Sequence, residues 1–294
     1  MDSCKRSLQV IYLTINNYCC LKQKGWMDMS VDKALSLTEL KRETSASNWV
    51  GDIQLLETVV STQEEAKFLA ENGAPEGTTV IAEEQTGARG RMGRKWFSPR
   101  GKGIWMSIVL RPQLPLSETP QLTLLAGVAV CKAIRRVTGV DAGIKWPNDL
   151  LAGGRKICGI LLESSLREGE LHYCIAGIGI SANLTEEDYP GHLQEVATSL
   201  RIERGGAPVD RSELVKAVLD ELEMHYNLYM KQGFKPIKEL WESMSVTLGR
   251  QIALNSPQGR SEGVVVGLDE IGGLLLKNSL GEISNVCSGE IELL

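Results

Sequence analysis

Hydrophobic and polar residues alternate from residue 53 onward in a way that predicts short strands and a few longer helices. Residues 53 to 60 alternate as a half-buried strand does, and Ser61 then opens a helix that Gly73 ends. Two further strands are predicted over residues 78 to 85 and 103 to 112. The glycine-bearing stretch between these two strands is therefore a connecting loop.

The middle of the chain predicts a buried helix and then a hairpin. Residues 119 to 139 are apolar nearly all round, with Pro120 at the first helical position and Gly139 just past the end. A short strand should end near the segment KWPND. Residues 156 to 165 and 171 to 180 then form two strands joined through a turn at REGE.

The last third of the chain changes texture. Asp210 opens a long amphipathic helix, a shorter helix follows, and from about Ser245 brief β segments alternate with turns, which is typical of a small barrel. Short antiparallel strands with interspersed helices favour a mixed α+β sheet. The predicted regions are 1–50, a leader or linker remnant with no recognisable DNA-binding domain, 51–244, the main domain, and 245–294, the barrel.

The first residues loosely imitate a secretory signal, because Lys5 and Arg6 precede an apolar run. That run is broken by Thr14 and Asn16, lacks a small-residue cleavage site, and is shorter than the roughly 18 apolar residues that a membrane span needs. The seven cysteines include no CxxC pair. We therefore predict a cytoplasmic protein with no disulfide framework and no membrane segment.

Composition excludes several classes of site. Three histidines leave little material for a histidine zinc site or a serine triad, so we expect no fixed metal site. The net charge of −5 argues against a polyanion binder. One acid-free segment between Ala88 and Gly103 departs from this average. It carries six basic residues, which are Arg89, Arg91, Arg94, Lys95, Arg100 and Lys102.

The basic segment also contains Gly87, Gly90 and Gly93. Arginine binds phosphate through two parallel hydrogen bonds, and glycine lets backbone amides approach an anion closely. An anion-binding loop is one interpretation. A solvated basic loop or a nucleic-acid patch explains the same composition equally well, and Trp96 and Phe97 fit either.

Two later segments also carry candidate chemistry. In KWPNDLL, Asn148 and Asp149 lie at a turn between apolar strands, although such a turn is usually only a turn. Lys156 opens an otherwise buried strand and needs a partner or an anionic ligand, unless its amine simply reaches solvent. Gly177 and Gly179 allow close approach of a ligand or of another backbone.

Taken in order, the segments STQ, EEQTGARGRMGRKWFSP, KWPNDLL, GRKICGILLE and GIGI resemble the biotin protein ligase family, biotin–[acetyl-CoA-carboxylase] ligase, from about Gly51 to the end. The resemblance implies a mixed sheet related to class II aminoacyl-tRNA synthetases, followed by an SH3-like barrel. It implies that biotin and MgATP give biotinyl-5′-AMP and pyrophosphate. A lysine of a biotin carboxyl carrier protein domain then receives the biotinyl group.

The resemblance also assigns residues. It implies catalytic roles for Lys156, Arg91 and Asp149, with Mg²⁺ arriving on ATP near Asp149. The implied contacts to biotin or the adenylate are Ser61, Thr62, Gln85, Arg89, Gly90, Arg91, Arg94, Trp96, Asn148, Lys156, Gly159, Gly177 and Gly179.

The sequence departs from the family pattern at two positions. Ala88 stands where the family loop usually has glycine, which would cost about 1 kcal/mol if that position required a positive φ. Ser181 replaces an asparagine after GIGI, and we do not expect it to contact the ligand. Residues 1–50 do not match the winged helix that many bacterial members carry, so we predict no specific DNA binding. A homodimer is possible.

Two other classes of protein stay open at this point. A lipoyl or octanoyl transferase shares the fold, but no RRxTGGG-like loop is present. A binding module, either a regulator without catalysis or a nucleic-acid binder, is disfavoured by Lys156, Arg91 and Asp149 and by the acidic charge of the chain.

Overall fold

A computed structural model describes residues 33–44, 47, 49–256 and 259–294. Its first seven strands are β1 Ile53–Val59, β2 Thr79–Gln85, β3 Ile104–Leu110, β4 Gly143–Lys145, β5 Asp149–Ala152, β6 Arg155–Arg167 and β7 Glu170–Ile180. They form one sheet in the order β1-β2-β3-β7-β6-β5-β4. β1 pairs with β2 in parallel, and the other neighbouring strands pair antiparallel. The predicted mixed sheet is confirmed.

The helices cover both faces of this sheet. They are α1 Leu37–Thr44, α2 Thr62–Glu71, α3 Thr119–Thr138, α4 Leu200–Glu203, α5 Arg211–Gln232 and α6 Lys235–Met244. Successive strand residues point to opposite faces, so Val80 packs with α2 while its neighbour Ile81 joins the larger core that includes α3 and α5. The predicted buried helix is α3, and Leu125, Val128 and Ile134 are among its buried residues.

A second sheet follows the helices. Its strands are β8 Gln251–Ser256, β9 Gly259–Leu268, β10 Leu274–Lys277, β11 Ile283–Val286 and β12 Glu290–Leu293. Their order is β11-β10-β9-β8-β12, and the paired strands are all antiparallel. The sheet is joined to the main core by hydrogen bonds, because Trp146 Nε1 donates to Gly272 O at 3.2 Å and Gln121 Nε2 donates to Glu270 O at 3.1 Å.

The helix α1 was not predicted. Leu40 is fully buried, and the backbone N–H of Leu35 donates to a carboxylate oxygen of Glu83. Glu83 also pairs with Arg211 at 2.7 Å, and both side chains are 3% exposed. Residues Ala34–Leu294 thus form one compact unit. Most of the predicted leader, 1–50, lies outside the described residues, and the domain boundaries remain predictions.

Within the described ranges, no helix is both long enough and apolar enough to cross a membrane. Cys131, Cys158 and Cys174 are buried free thiols, and Cys287 is an exposed one. Burial raises the pKa of the Cys131 thiol to about 11, so at neutral pH this group is an uncharged, small apolar side chain.

Candidate active site

A cavity of about 310 Å³ opens beside β2, β3, β6 and β7, and the connecting loop between β2 and β3 forms part of its wall. The structure brings together the residues that the resemblance assigned. Those that line the cavity are Ser61, Thr62, Gln85, Arg89, Gly90, Arg91, Arg94, Trp96, Asn148, Asp149, Lys156, Gly159, Gly177 and Gly179. Their individual roles remain predictions, because shared position is all that the cavity establishes.

The loop between β2 and β3 folds back on itself as a small hairpin. Gly90 N donates to Arg94 O at 2.7 Å, and Trp96 N donates to Ala88 O at 3.0 Å. Among the described residues with a side chain, only Met92 and Glu168 have a positive φ. Ala88 therefore adopts an ordinary backbone conformation, and the strain considered for it does not arise.

The basic groups of the cavity meet an acid and an amide. Lys156 Nζ lies 2.6 Å from Asp149 Oδ1, and Arg91 Nη1 donates to Asn148 Oδ1 at 3.1 Å. Burial lowers the pKa of Arg91, and the Asp149 carboxylate partly opposes this shift. Arg94 forms an ion pair with Glu290 of β12. The loop is thereby tied to both sheets through charged side chains.

Backbone hydrogen bonds fix the positions of Asn148 and Lys156. Asn148 O accepts from Ile160 N at 2.9 Å, and Asn148 Nδ2 donates to Ile160 O at 2.8 Å. Lys156 N donates to Val196 O and its carbonyl accepts from Thr198 N, both at 2.9 Å. Asn148, in the turn between β4 and β5, and Lys156, on β6, are thus each held by two hydrogen bonds.

Trp96 occupies the space that two of the assigned glycines leave open. A Cβ on Gly179 would lie 2.4 Å from Trp96 Nε1, and a Cβ on Gly159 would lie 3.0 Å from the same ring. Lys156 Nζ stands 5.2 Å from the ring centroid, within the range of a cation–π interaction. Trp96 Nε1 is buried and has no hydrogen-bond partner among the described residues, which leaves a donor for a ligand.

The end of the cavity formed by α2, β2 and β3 is polar. Gln85 Oε1 accepts from the N–H of Thr62 at 2.9 Å and lies 3.1 Å from the Thr62 hydroxyl, while Gln85 Nε2 donates to Ser98 Oγ at 3.1 Å. Ser61 is the N-cap of α2, since its hydroxyl accepts from Gln63 N at 3.2 Å. A planar polar ligand group would find both donors and acceptors here.

Sequence reasoning missed several residues of the cavity. Gln63 and Ser107 are buried in its polar end, where Ser107 Oγ donates to Gln63 Oε1 at 3.0 Å. Gln63 is the last residue of the STQ segment, but nothing in the sequence says which way its side chain turns. Lys145 also lines the cavity, and its pKa is lowered by burial, with Asp149 opposing the shift. Lys145 is the first residue of KWPNDLL, so the motif could have pointed to it as a residue of the site.

Another group of missed residues forms an apolar wall after β7. Tyr189, Leu193, Val196 and Ala197 line the cavity together with Ser181, which we had not expected near a ligand. Burial raises the pKa of the Tyr189 hydroxyl to about 12, so it stays protonated and donates to Thr198 O at 2.6 Å. The segment has no strand or helix periodicity, so it could not be predicted from a hydrophobic pattern.

Comparison with known proteins decides the family. A sequence model of the biotin/lipoate A/B protein ligase family matches residues 55–181, and one of the biotin protein ligase C-terminal domain matches residues 247–294. A bifunctional ligase/repressor BirA of Bacillus spizizenii is 41% identical over 273 residues, which cover 93% of this chain and 83% of the relative. This chain belongs to the biotin protein ligase family.

Further biotin protein ligases agree. A biotin–[acetyl-CoA-carboxylase] ligase of Paracoccus denitrificans is 34% identical over 75% of this chain and 92% of its own length. The Aquifex aeolicus biotin protein ligase in complex with biotin and ATP superposes with a TM-score of 0.72 at 34% identity, covering 83% of this chain and 98% of that one. The fold and the ligase class that the sequence predicted are confirmed.

Proposed function

We propose that this biotin ligase converts biotin and MgATP to biotinyl-5′-AMP and pyrophosphate, and then transfers the biotinyl group to a lysine of a biotin carboxyl carrier protein of acetyl-CoA carboxylase or a related carboxylase. One observation carries the proposal: the polar end at Thr62 and Gln85 and the cationic group at Lys156 belong to one cavity. Biotin has a polar ureido ring at one end and a carboxylate at the other, which matches this arrangement.

The apolar part of the cavity fits the body of biotin. Trp96, Met106 and Ile178 are among the residues that line the cavity. The unpartnered Nε1 of Trp96 offers a hydrogen-bond donor, while Trp96 and Gln63 cover the three glycines of β6 and β7. Lys156 would leave Asp149 to pair with the ligand carboxylate, because the negative charge of the ligand competes for the same ammonium group.

The basic side of the cavity fits a nucleotide. Arg91, Arg94 and Lys145 would face the phosphates, while Tyr189 and Leu193 offer an apolar surface for the base. In the first step a carboxylate oxygen of biotin forms a bond to the α-phosphorus, and the bond to the pyrophosphate oxygen breaks. Cations fixed beforehand stabilise the charge that builds on the phosphoryl oxygens during this step.

The second step starts from biotinyl-5′-AMP, which is a mixed anhydride of biotin and AMP. The amine of the carrier lysine attacks the biotinyl carbonyl carbon, an amide bond forms, a proton leaves the amine, and AMP departs with the electron pair of the broken C–O bond. Lys156 and Arg91 would contribute to this step mainly by positioning the adenylate. The backbone of Lys156 is held by Val196 and Thr198, and the guanidinium group of Arg91 is held by the Asn148 amide.

Mg²⁺ would arrive with ATP rather than occupy a resident site. Within the described part of the chain, no group of three or more His, Cys, Asp or Glu side chains could hold a metal ion. Asp149 supplies a carboxylate of the type that Mg²⁺ prefers. It would orient a Mg²⁺ ion bound to the phosphates once Lys156 turns to the ligand.

Labelled pyrophosphate exchange into ATP tests the first step. We expect exchange that depends on biotin, and a mass increase on a carrier domain incubated with the protein, biotin and MgATP. Folded protein without exchange would refute the proposal. Exchange that depends on lipoate or octanoate instead would assign the chain to the other branch of the matched family.

We further propose that the chain does not bind an operator, although several relatives are named ligase/repressor. The region concerned, residues 1–50, lies mostly outside the described residues. A gel shift with biotin operator DNA at a stated salt concentration tests this, and specific retardation would overturn it. The proposed homodimer is tested by sedimentation with and without biotin and ATP.

A further inference from the structure

One carboxylate outside the cavity connects the apolar wall to the strand that carries Lys156. Glu203, in α4, accepts from Thr198 Oγ1 at 2.7 Å and from Arg155 Nη2 at 3.2 Å, both on the same oxygen. Its side chain is 19% exposed, and that of Arg155 is 29% exposed. Neither Glu203 nor Arg155 lines the cavity, so neither can act on a ligand directly.

The position of Lys156 in the sheet explains why this connection matters. β7 ends at Ile180, which pairs with Cys158, so β7 does not reach Lys156. The register with β5 also shifts next to Lys156, between Leu150 and Leu151. The main-chain N–H and C=O of Lys156 instead bond to Val196 and Thr198, as in a short parallel strand pair.

Residues 196–198 therefore lie beside Lys156 at the edge of the sheet, and Thr198 forms two further hydrogen bonds that hold them there. Tyr189 OH donates to Thr198 O at 2.6 Å, and the Glu203 carboxylate receives the Thr198 hydroxyl. Arg155 adds a second ion pair at 3.2 Å, with Glu186, three residues before Tyr189. The first residue of β6 is thus paired with one carboxylate before the apolar wall and one after it.

We propose that Glu203 is a positioning residue: through Arg155 and Thr198 it holds the wall segment, residues 189–197, against β6, and so sets the surface offered to the nucleotide. This inference rests on the proposed adenylation. It concerns the nucleotide side of the cavity, because Thr62 and Gln85 of the polar end lie on α2 and β2, which carry neither Arg155 nor Thr198.

The test compares Glu203→Gln with Glu195→Gln in the full chain. Both substitutions remove one negative charge, and Glu195 is an exposed residue of the same segment. For Glu203→Gln we expect kcat/KM for ATP to fall about tenfold, since small misplacements of a reacting group have effects of this order or larger. The KM for biotin should stay within about twofold, because the polar end is untouched. Glu195→Gln should match the parent protein.

Thr198→Val gives an independent route to the same contact. It removes the hydroxyl that Glu203 accepts while keeping the shape of a fully buried side chain. The double variant should lose little more than the worse single variant, because both remove one interaction. Calorimetric titration with biotin alone should give the parent affinity in every variant.

The outcomes separate this inference from the proposed function. A parent protein without biotin-dependent exchange contradicts adenylation itself. An active parent whose Glu203→Gln variant behaves like Glu195→Gln overturns the positioning role. A variant that loses affinity for biotin and for ATP in equal measure also overturns it. So does a variant whose only change is a smaller fraction of folded protein, because both results indicate a general structural role.

Discussion

The ammonium group of Lys156 has two partners, the Asp149 carboxylate at 2.6 Å and the Trp96 ring at 5.2 Å. Such a group is held in place before any ligand arrives, so little ordering is needed when an anion replaces the carboxylate. The role predicted for Lys156 therefore depends on its ammonium group exchanging the Asp149 carboxylate for the anionic group of the ligand.

We expect Lys156→Ala to lower biotin-dependent pyrophosphate exchange at least about 100-fold, the order seen when one preorganised donor is removed from a site of developing charge. Lys67→Ala is the matched control, because Lys67 pairs with Glu163 at 3.2 Å and does not line the cavity. Circular dichroism should show the same fold in both variants. Normal turnover by Lys156→Ala would contradict the assigned role.

Lys145 allows a prediction about stability as well as binding. Burial is the first cause that lowers its pKa, so the folded protein disfavours the charged amine, and this cost is present at neutral pH and disappears as the pH rises toward 10.5. Lys145→Met should therefore raise Tm at pH 7 while the KM for ATP rises about tenfold through loss of a charged hydrogen-bond donor.

Thermal melts and steady-state kinetics measure the two effects. Lys231→Met, at an exposed position of α5, is the control and should change neither quantity. A Lys145→Met protein with lower Tm and unchanged KM for ATP would show that the amine stabilises the fold instead.

Individual residues of the site could be predicted only where a motif contained them. The resemblance supplied Lys156, Arg91 and Thr62, and the structure places them in one cavity. Ser107 could not be predicted, because it is one of several polar residues in apolar strands and only its neighbours across the sheet give it a place. The strain considered for Ala88 depended on a φ angle that composition does not reveal.

At the scale of elements, α5 carries a buried histidine. His225 is 1% exposed, its Nδ1–H donates to Glu221 O at 2.7 Å, and Lys132 Nζ from α3 lies 3.4 Å from Nε2. Burial lowers the pKa of His225, with the Lys132 charge acting in the same direction and Glu221 opposing. The neutral ring is therefore the form that packs between the two helices.

This arrangement makes stability depend on pH. Because the folded pKa lies below the unfolded value of 6.5, the contribution of His225 is fully present above about pH 6.5 and is lost as the pH falls toward the folded pKa. His225→Asn keeps a donor for Glu221 O and should lose less stability than the parent protein between pH 7.5 and 5.

Urea unfolding at several pH values measures this slope. His192→Asn, at an exposed position far along the chain from α5, should retain the parent slope. Equal slopes for His225→Asn and the parent would show that the ring has the same pKa in the folded and unfolded protein, and would contradict the effect of burial.

Elements with a clear period were predicted from the sequence almost to the residue, as for β1, β3 and α3. Two features escaped this reasoning. The parallel pairing of β1 with β2 is a property of two strands together, which no single period encodes. The wall segment from Tyr189 to Ala197 has no period at all, and its structure comes from contacts with β6 and α4.

At the scale of the whole molecule, the cavity is lined by both sheets. Gly289, Glu290 and Ile291 of the second sheet face the same space as Lys145 and Arg94. A ligand bound there contacts both sheets at once, so its binding free energy stabilises both against unfolding.

Differential scanning calorimetry tests this coupling. With the adenylate at about 100 times its Kd, unfolding should cost about 2.7 kcal/mol more, which corresponds to a rise in Tm of about 4–5 °C for a chain of 294 residues. A single transition should move as a whole. Two transitions of which only one responds would mean that the second sheet unfolds independently of the ligand. At the same adenylate concentration, the Tm of Lys156→Ala should rise little.

The position of Trp96 has an optical consequence. Its indole is one of six in the chain, and it lies under the Lys156 ammonium group with a free Nε1 donor. The emission energy of indole responds to charge near the ring, so a ligand carboxylate that draws Lys156 away changes the local field at one chromophore. The natural fluorescence of the protein can thus report arrival of the substrate in the cavity without any added label.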